Sequence, residues 1–143
     1  MKEKWKDIQN YEGLYQISNL GNILNVKRNK IKKQTINKEG YYYVMLSKKG
    51  KKTYFLVHRL VAQAFLDKSK YKCVNKDDSA ILVVNHKDEN KLNNNLNNLE
   101  WCTNKYNVIY SNKKNKINKI LNYIENSDIP EKNKNDLLNI MFS

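Results

Sequence analysis

Few residues in this chain are equipped for chemistry, and the most conspicuous stand together. The stretch VVNHKDENKLNNNLNNLEW, from Val83, holds one of the two histidines, His86, directly after Asn85. Water attacking a phosphodiester near neutral pH needs a base that titrates in that range, and an imidazole supplies it. The charge building on the phosphate and the leaving oxygen calls for a hard divalent cation. Magnesium takes oxygen ligands, often only one or two from the protein, with waters and phosphates completing the shell. Asn85 and, further along, Asn107 each offer a side-chain carbonyl oxygen. The same residues also fit a turn with a bystander histidine, or a plain nucleic-acid contact. Asp88 is the nearest carboxylate; so close to His86, it reads as fixing the turn or pairing with Lys87, and as an extra ligand only second. His58, beside Arg59 at a helix start, reads as a packing or capping residue with a phosphate within reach.

Such a centre needs elements to hold it. Ile81 to Val84 forms a buried strand leading into Asn85-His86. Neighbouring strand residues face opposite ways, so the strand must end or twist there for both to serve one site. Asn93 to Asn98 shows no periodicity and reads as an ordered loop, since Asn side chains bond back to the backbone; Asn93, Asn94, Asn95 and Asn97 are loop formers on this reading. Leu99 to Cys102 is a second short strand. Thr103 is an N-cap candidate, which puts Asn107 in the first or second turn of the next helix.

Upstream, Tyr15 and Ile17 on one side and Ile23, Leu24 and Val26 on the other flank the turn-forming Ser18-Asn19-Leu20-Gly21-Asn22. This predicts a hairpin with Trp5 and Tyr11 packed beneath it. Gly40 to Leu46 and Thr53 to Val57 are aromatic and β-branched around a lysine-rich turn, a second hairpin with a basic tip. Leu60, Val61, Ala64 and Phe65 recur at helical spacing. Lys68 to Ser79 is polar and reads as a loop. Beyond Lys113, Ile117, Ile120, Leu121 and Ile124 share one helical face, Pro130 interrupts, and Leu137, Leu138 and Met141 form a second amphipathic piece. Trp5 and Trp101 are expected in the core.

The balance of charge names a class of partner. Across 143 residues the net charge is +13, which attracts a polyanion, above all nucleic acid. The excess is concentrated: residues 1–66 carry fourteen Lys and Arg against four acids, residues 67–143 thirteen against ten. The run Lys27, Arg28, Lys30, Lys32 and Lys33, the tip Lys48, Lys49, Lys51 and Lys52, and Arg59 are the candidate DNA contacts. They would set affinity and register rather than base discrimination. A generic lysine-rich surface is the plain alternative, but it does not account for the clustering. Cys73 and Cys102 make no CxxC pair and read as free thiols of a reducing compartment. No apolar run is long enough to span a bilayer, and the N-terminus lacks a secretion signal. A cytoplasmic protein of a bacterial or phage-infected cell is expected.

In these motifs the chain resembles the HNH homing endonucleases of phage and bacterial introns, whose core is the ββα-metal fold. VNHKDENKLNNNLNNLEWCTNKYN is similar to the core motif of that family, VHRLVAQAF (57–65) to the helix ahead of it, and WKDIQNYEGLYQISNLGNI to a tryptophan-led module that precedes such cores. The resemblance covers roughly residues 4–108. It implies His86 as general base, Asn85 and Asn107 as metal ligands, and Asn98 as the asparagine that holds the loop in shape. It also implies one divalent cation, magnesium or in its place manganese, and cleavage that leaves a 5′-phosphate. Many relatives carry Asp or His at the position of Asn85; a neutral amide grips a cation less, so affinity would draw on bound phosphate. No helix-turn-helix reader of the kind such nucleases often append is visible beyond about residue 112.

The expectation is therefore an α+β DNA endonuclease: a basic β-hairpin module (1–56), an HNH core (57–112) and a helical tail (113–143). Its partner would be double-stranded DNA, not a membrane, and either a monomer or a homodimer is compatible with the tail. A non-cleaving DNA-binding protein on the same scaffold is the first rival. An RNA-binding protein is the second, and binding to duplex DNA against structured RNA at matched salt separates it.

Overall fold

A computed structural model describes residues 2–68, 82–127 and 129–142. The first unit, residues 1–104, begins with a four-stranded antiparallel sheet of β1 (Trp5–Asp7), β2 (Tyr15–Ser18), β3 (Ile23–Asn25) and β4 (Lys30–Ile31), paired in chain order. The expected hairpin is its centre, with Tyr15 opposite Asn25 and Ile17 opposite Ile23. Tyr11 is buried, but Trp5 is only half-buried, because it lies on the edge strand opposite Ser18 instead of beneath the sheet. The basic run contributes β4 itself, whose two residues are both exposed.

The second hairpin is longer than its apolar core suggests. β6 (Tyr42–Lys48) pairs with β7 (Lys51–Leu56), and the turn is reduced to Lys49-Gly50, both with positive φ. Left-handed geometry at both central positions matches the twist of the flanking strands, so the lysines can continue the ladder. Lys48 and Lys51 therefore stand directly opposite one another, a like-charge pair that opposes folding unless an anion is near. A third strand, β5 (Thr35–Ile36), adds to β6; two exposed residues give no readable period.

Helix α1 (Val57–Phe65) starts where β7 ends, so Val57 opens the helix instead of closing the strand. Val57, Leu60 and Val61 pack with Ile8, Tyr11, Tyr15, Ile17 and Ile23 from the first sheet, Val44 and Leu46 from the second, and Leu99. One core thus joins the N-terminal strands to the segment that carries the candidate chemistry. The loop expected over Lys68–Ser79 lies, from residue 69 onward, outside the described residues, as does Cys73.

The two-stranded sheet of β8 (Leu82–His86) and β9 (Leu99–Thr103) packs against α1. Trp101 is buried, as expected of a core residue. Cys102 is a buried free thiol, pushed up to about 11 by desolvation and by the Glu100 charge, which leaves it unreactive at neutral pH.

The second unit, residues 105–143, is helical. Helix α2 runs unbroken over Asn104–Glu125, so the helix after Thr103 and the one expected beyond Lys113 are a single element. No Gly or Pro lies between them to stop it. Helix α3 (Glu131–Phe142) begins directly after Pro130. Among the described residues, no helix is long and apolar enough to cross a membrane.

Candidate active site

Antiparallel pairing sets the frame. β8 extends through Asn85 and ends on His86, further than the apolar run suggests, with Asn85 opposite Glu100 and His86 opposite Leu99. The strand continues because Glu100 offers Asn85 a partner: the Asn85 amide Nδ2 donates to Glu100 Oε1 at 2.8 Å. That bond occupies the donor end of the amide and turns the other way the oxygen, which has no hydrogen-bond partner among the described residues. An oxygen left over in this manner is a ligand available to a hard cation.

His86 is held by a different set of residues. The residue is 5% exposed, and Nε2 lies 3.0 Å from Asn94 Oδ1. With the amide oxygen as acceptor, the proton sits on Nε2 and Nδ1 keeps its lone pair. Among the described residues Nδ1 has no partner, and it is not sealed from solvent, the condition of a base that must meet water. Burial, first of all, pulls the imidazole below its usual 6.5, with Lys91 acting in the same direction, while the Asn94 bond and Asp88 raise it.

Two further rings enclose His86. His58, on the first turn of α1, packs edge-on to it at 5.1 Å between centroids, and Tyr41 lies 4.9 Å from His58 and 6.0 Å from His86. His58 is buried and its Nδ1 has no partner among the described residues, so desolvation, followed by the His86 and Arg59 charges, brings it down to about 3. It is a neutral wall, in keeping with a packing role. Lys91 closes the rim, its Nζ 4.8 Å from the Tyr41 ring centre and donating to Glu39 O at 3.0 Å.

The asparagine loop is ordered by its own side chains. Asn98 donates to Asp88 Oδ1 at 2.8 Å and to Asn93 O at 2.9 Å, and its Oδ1 accepts from Asp88 N at 3.0 Å. Asp88 accepts also from Asn93 Nδ2 and Asn90 N, so its carboxylate serves the turn. Burial raises its pKa, but the bonds from Asn93 and Asn98 outweigh that and lower it. Asn97 is exposed, whereas Asn94 is buried against His86. Asn94 is thus more than a loop former, and Glu100, Tyr41 and Lys91 also escape a reading of the sequence. Only their partners mark them, and those lie from eight to fifty-two residues away in the chain.

Asn107 lies in the second unit, on the first turn of α2, half-buried. Among the described residues no group of three His, Cys, Asp or Glu side chains could hold a metal ion. Within the first unit, the Asn85 amide oxygen is a donor that fits a hard cation shared with a phosphate.

Of the basic candidates, Lys27, Arg28, Lys30, Lys33, Lys49, Lys51, Lys52 and Arg59 are exposed. Lys32 is half-buried with its ammonium 5.6 Å from the Tyr15 ring centre. Lys48 reaches back to the Asn10 carbonyl and the face of Tyr11.

Comparison with known proteins places these features. Residues 3–47 match the family model described as the NUMOD4 motif. The chain is 47% identical over 105 residues to DNA endonuclease I-HmuI of Bacillus phage SP01, covering 73% of this chain and 55% of that protein. It is also 47% identical over 108 residues to an uncharacterized HNH endonuclease, L245, of Acanthamoeba polyphaga mimivirus, covering 76% of this chain and 29% of that one. The chain thus spans about half the length of I-HmuI and less of the mimivirus protein. A solved structure described as DNA binding and cleavage by the HNH homing endonuclease I-HmuI superposes with a TM-score of 0.65 at 41% identity, covering 86% of this chain and 68% of that one. With 41% identity sustained over 68% of that solved chain, this chain belongs to the HNH homing endonuclease family.

Proposed function

We propose that this protein is a metal-dependent DNA endonuclease that hydrolyses phosphodiester bonds with His86 as general base. The observation that supports the reading is the state of His86: Nε2 is tied to Asn94, and Nδ1 has no hydrogen-bond partner among the described residues. In the reaction, Nδ1 takes a proton from water as the oxygen attacks phosphorus, the bond to the 3′ oxygen breaks, and that oxygen takes a proton from solvent. The products are a 5′-phosphate and a 3′-hydroxyl. Asn85 and Asn107 are the side chains that would hold one divalent cation, magnesium or manganese, together with the scissile phosphate. Such an ion supplies charge stabilisation on the leaving 3′ oxygen. The DNA-cleaving activity described for I-HmuI supports the reading. The exposed Lys27, Arg28, Lys30 and Lys33, the lysines of the β6–β7 tip and Arg59 would bind the backbone of duplex DNA, since a two-stranded ribbon fits the major groove.

One observation favours a second reading, a non-cleaving DNA-binding protein: the two side chains proposed for the cation, Asn85 and Asn107, are neutral amides. Nicking of supercoiled plasmid across magnesium and manganese decides between the two. The nuclease reading expects nicking with either ion, its loss on chelation, and a His86→Ala variant slowed by roughly 100-fold or more with binding retained. Full cleavage by His86→Ala removes the mechanism; no cleavage by the unaltered protein with either ion favours the rival.

A further inference from the structure

We propose that the turn Ser18–Asn22 of the N-terminal sheet is a positioning element for the base, acting through contact between Gly21 and Asn94. The inference rests on His86 being that base. It gives the N-terminal strands a part in the chemistry beyond any contact they make with DNA.

The turn is fixed on both sides. Ser18 is fully buried, and its hydroxyl accepts from the amides of Leu20 and Asn22. Asn19, also buried, accepts from the Lys4 amide at 2.7 Å and donates to the Lys2 carbonyl. The Asn19 carbonyl in turn receives the amide of Leu96, in the asparagine loop, at 2.8 Å. On the far side, Gln34 Nε2 donates to the Gly21 carbonyl at 2.7 Å. The turn is therefore pinned to the loop through one bond and to its own sheet through several.

Gly21 sits between these pins with φ of +87°, and a Cβ built on it would lie 3.0 Å from Asn94 Cβ and 3.4 Å from the Asn94 carbonyl oxygen. The atom met is the root of the Asn94 side chain, which has no freedom to swing aside. The backbone of the turn cannot retreat without breaking the Gln34 or Leu96 bond. Relief must come from Asn94 moving by a few tenths of an ångström, and its Oδ1, bonded to His86 Nε2, moves with it. The absence of a side chain at Gly21 thus lets the loop close until Asn94 can hold the imidazole. Gly13 is the natural comparison, with φ of +68° but nothing within 4 Å of a built Cβ.

The test uses the full chain. Gly21→Ala, Gly21→Asn, Asn94→Ala and Gly13→Ala are compared by plasmid nicking with manganese, by DNA binding, and by nitrogen NMR of the His86 imidazole. Asn tolerates positive φ, so Gly21→Asn keeps the crowding while easing the backbone strain. Both Gly21 variants and Asn94→Ala are expected to lower kcat by about tenfold or more with KM and DNA affinity little changed. They should also shift the Nε2 and Nδ1 resonances, while Gly13→Ala moves neither. Unmoved His86 resonances in folded Gly21→Ala and Gly21→Asn overturn the proposal, as does unaltered kcat in both. The NMR comparison decides even if the unaltered protein cuts nothing, an outcome that would count against the nuclease reading alone. Should Gly21→Ala not fold, Gly21→Asn and Asn94→Ala carry the comparison.

Discussion

The Asn85 amide donates to Glu100 Oε1 on the neighbouring strand at 2.8 Å, and this bond decides which end of the amide remains for a cation. Groups that orient a metal ligand are worth about 10- to 100-fold in metal affinity. Glu100→Ala is therefore expected to raise the magnesium concentration for half-maximal cleavage by about that factor, with less effect on the rate at saturation. Glu100→Gln keeps an oxygen acceptor and should restore most of it. A magnesium titration of both variants checks this; equal half-saturation in Glu100→Ala and the unaltered protein refutes it.

The buried ring of His58 makes stability depend on pH. Folded, its pKa is about 3 against an ordinary 6.5, so between these values the proton binds only the unfolded chain. Stability is then fully present above pH 6.5 and falls as the pH drops toward 3, by at most about 1.4 kcal/mol per pH unit. Urea denaturation at several pH values should give a shallower slope for His58→Leu than for the unaltered protein. Parallel slopes would mean that the ring charges readily when folded.

Asn98 makes three hydrogen bonds with Asp88 and Asn93 while buried. Asn98→Ala strands the Asp88 amide and the Asn93 carbonyl and should cost about 1–3 kcal/mol, read from chemical denaturation. Cleavage should fall with it, because the same loop carries Asn94. Unchanged stability would show that water replaces the side chain without loss.

Lys49, Lys51 and Lys52 crowd the tip of the β6–β7 hairpin, exposed and close to the opposed Lys48. Replacing all three by Gln should weaken duplex binding and make the plot of log K against log salt shallower by roughly 0.9 for each phosphate that is no longer neutralised. Sequence preference should persist, since such contacts carry no base readout. An unchanged salt slope would place the DNA elsewhere.

Much of the architecture was legible in the chain. Strong local signals mark β2–β3, the β6–β7 ribbon, α1 and the β8–β9 pair, since alternation, turn residues and helical period act over a few positions. Elements without a local signal were not: β1, β4 and β5 are two- or three-residue partners that exist because an edge was there to pair with. The single α2 helix was read as two because its apolar stripe is weak near Lys113, while nothing breaks the backbone there.

The sequence by itself determined what the candidate site is made of: one imidazole after an amide at the end of a strand, an asparagine loop, and a basic ribbon. Those follow from residue type and spacing, and the resemblance to HNH endonucleases rests on them. Tertiary structure alone decided which asparagine faces His86, that Glu100 accepts from the Asn85 amide, that His58 and Tyr41 pack against the His86 ring, and that Gly21 lies against Asn94. Asn93, Asn94, Asn95 and Asn97 are chemically identical, so only packing between segments remote in the chain can give one of them a different task.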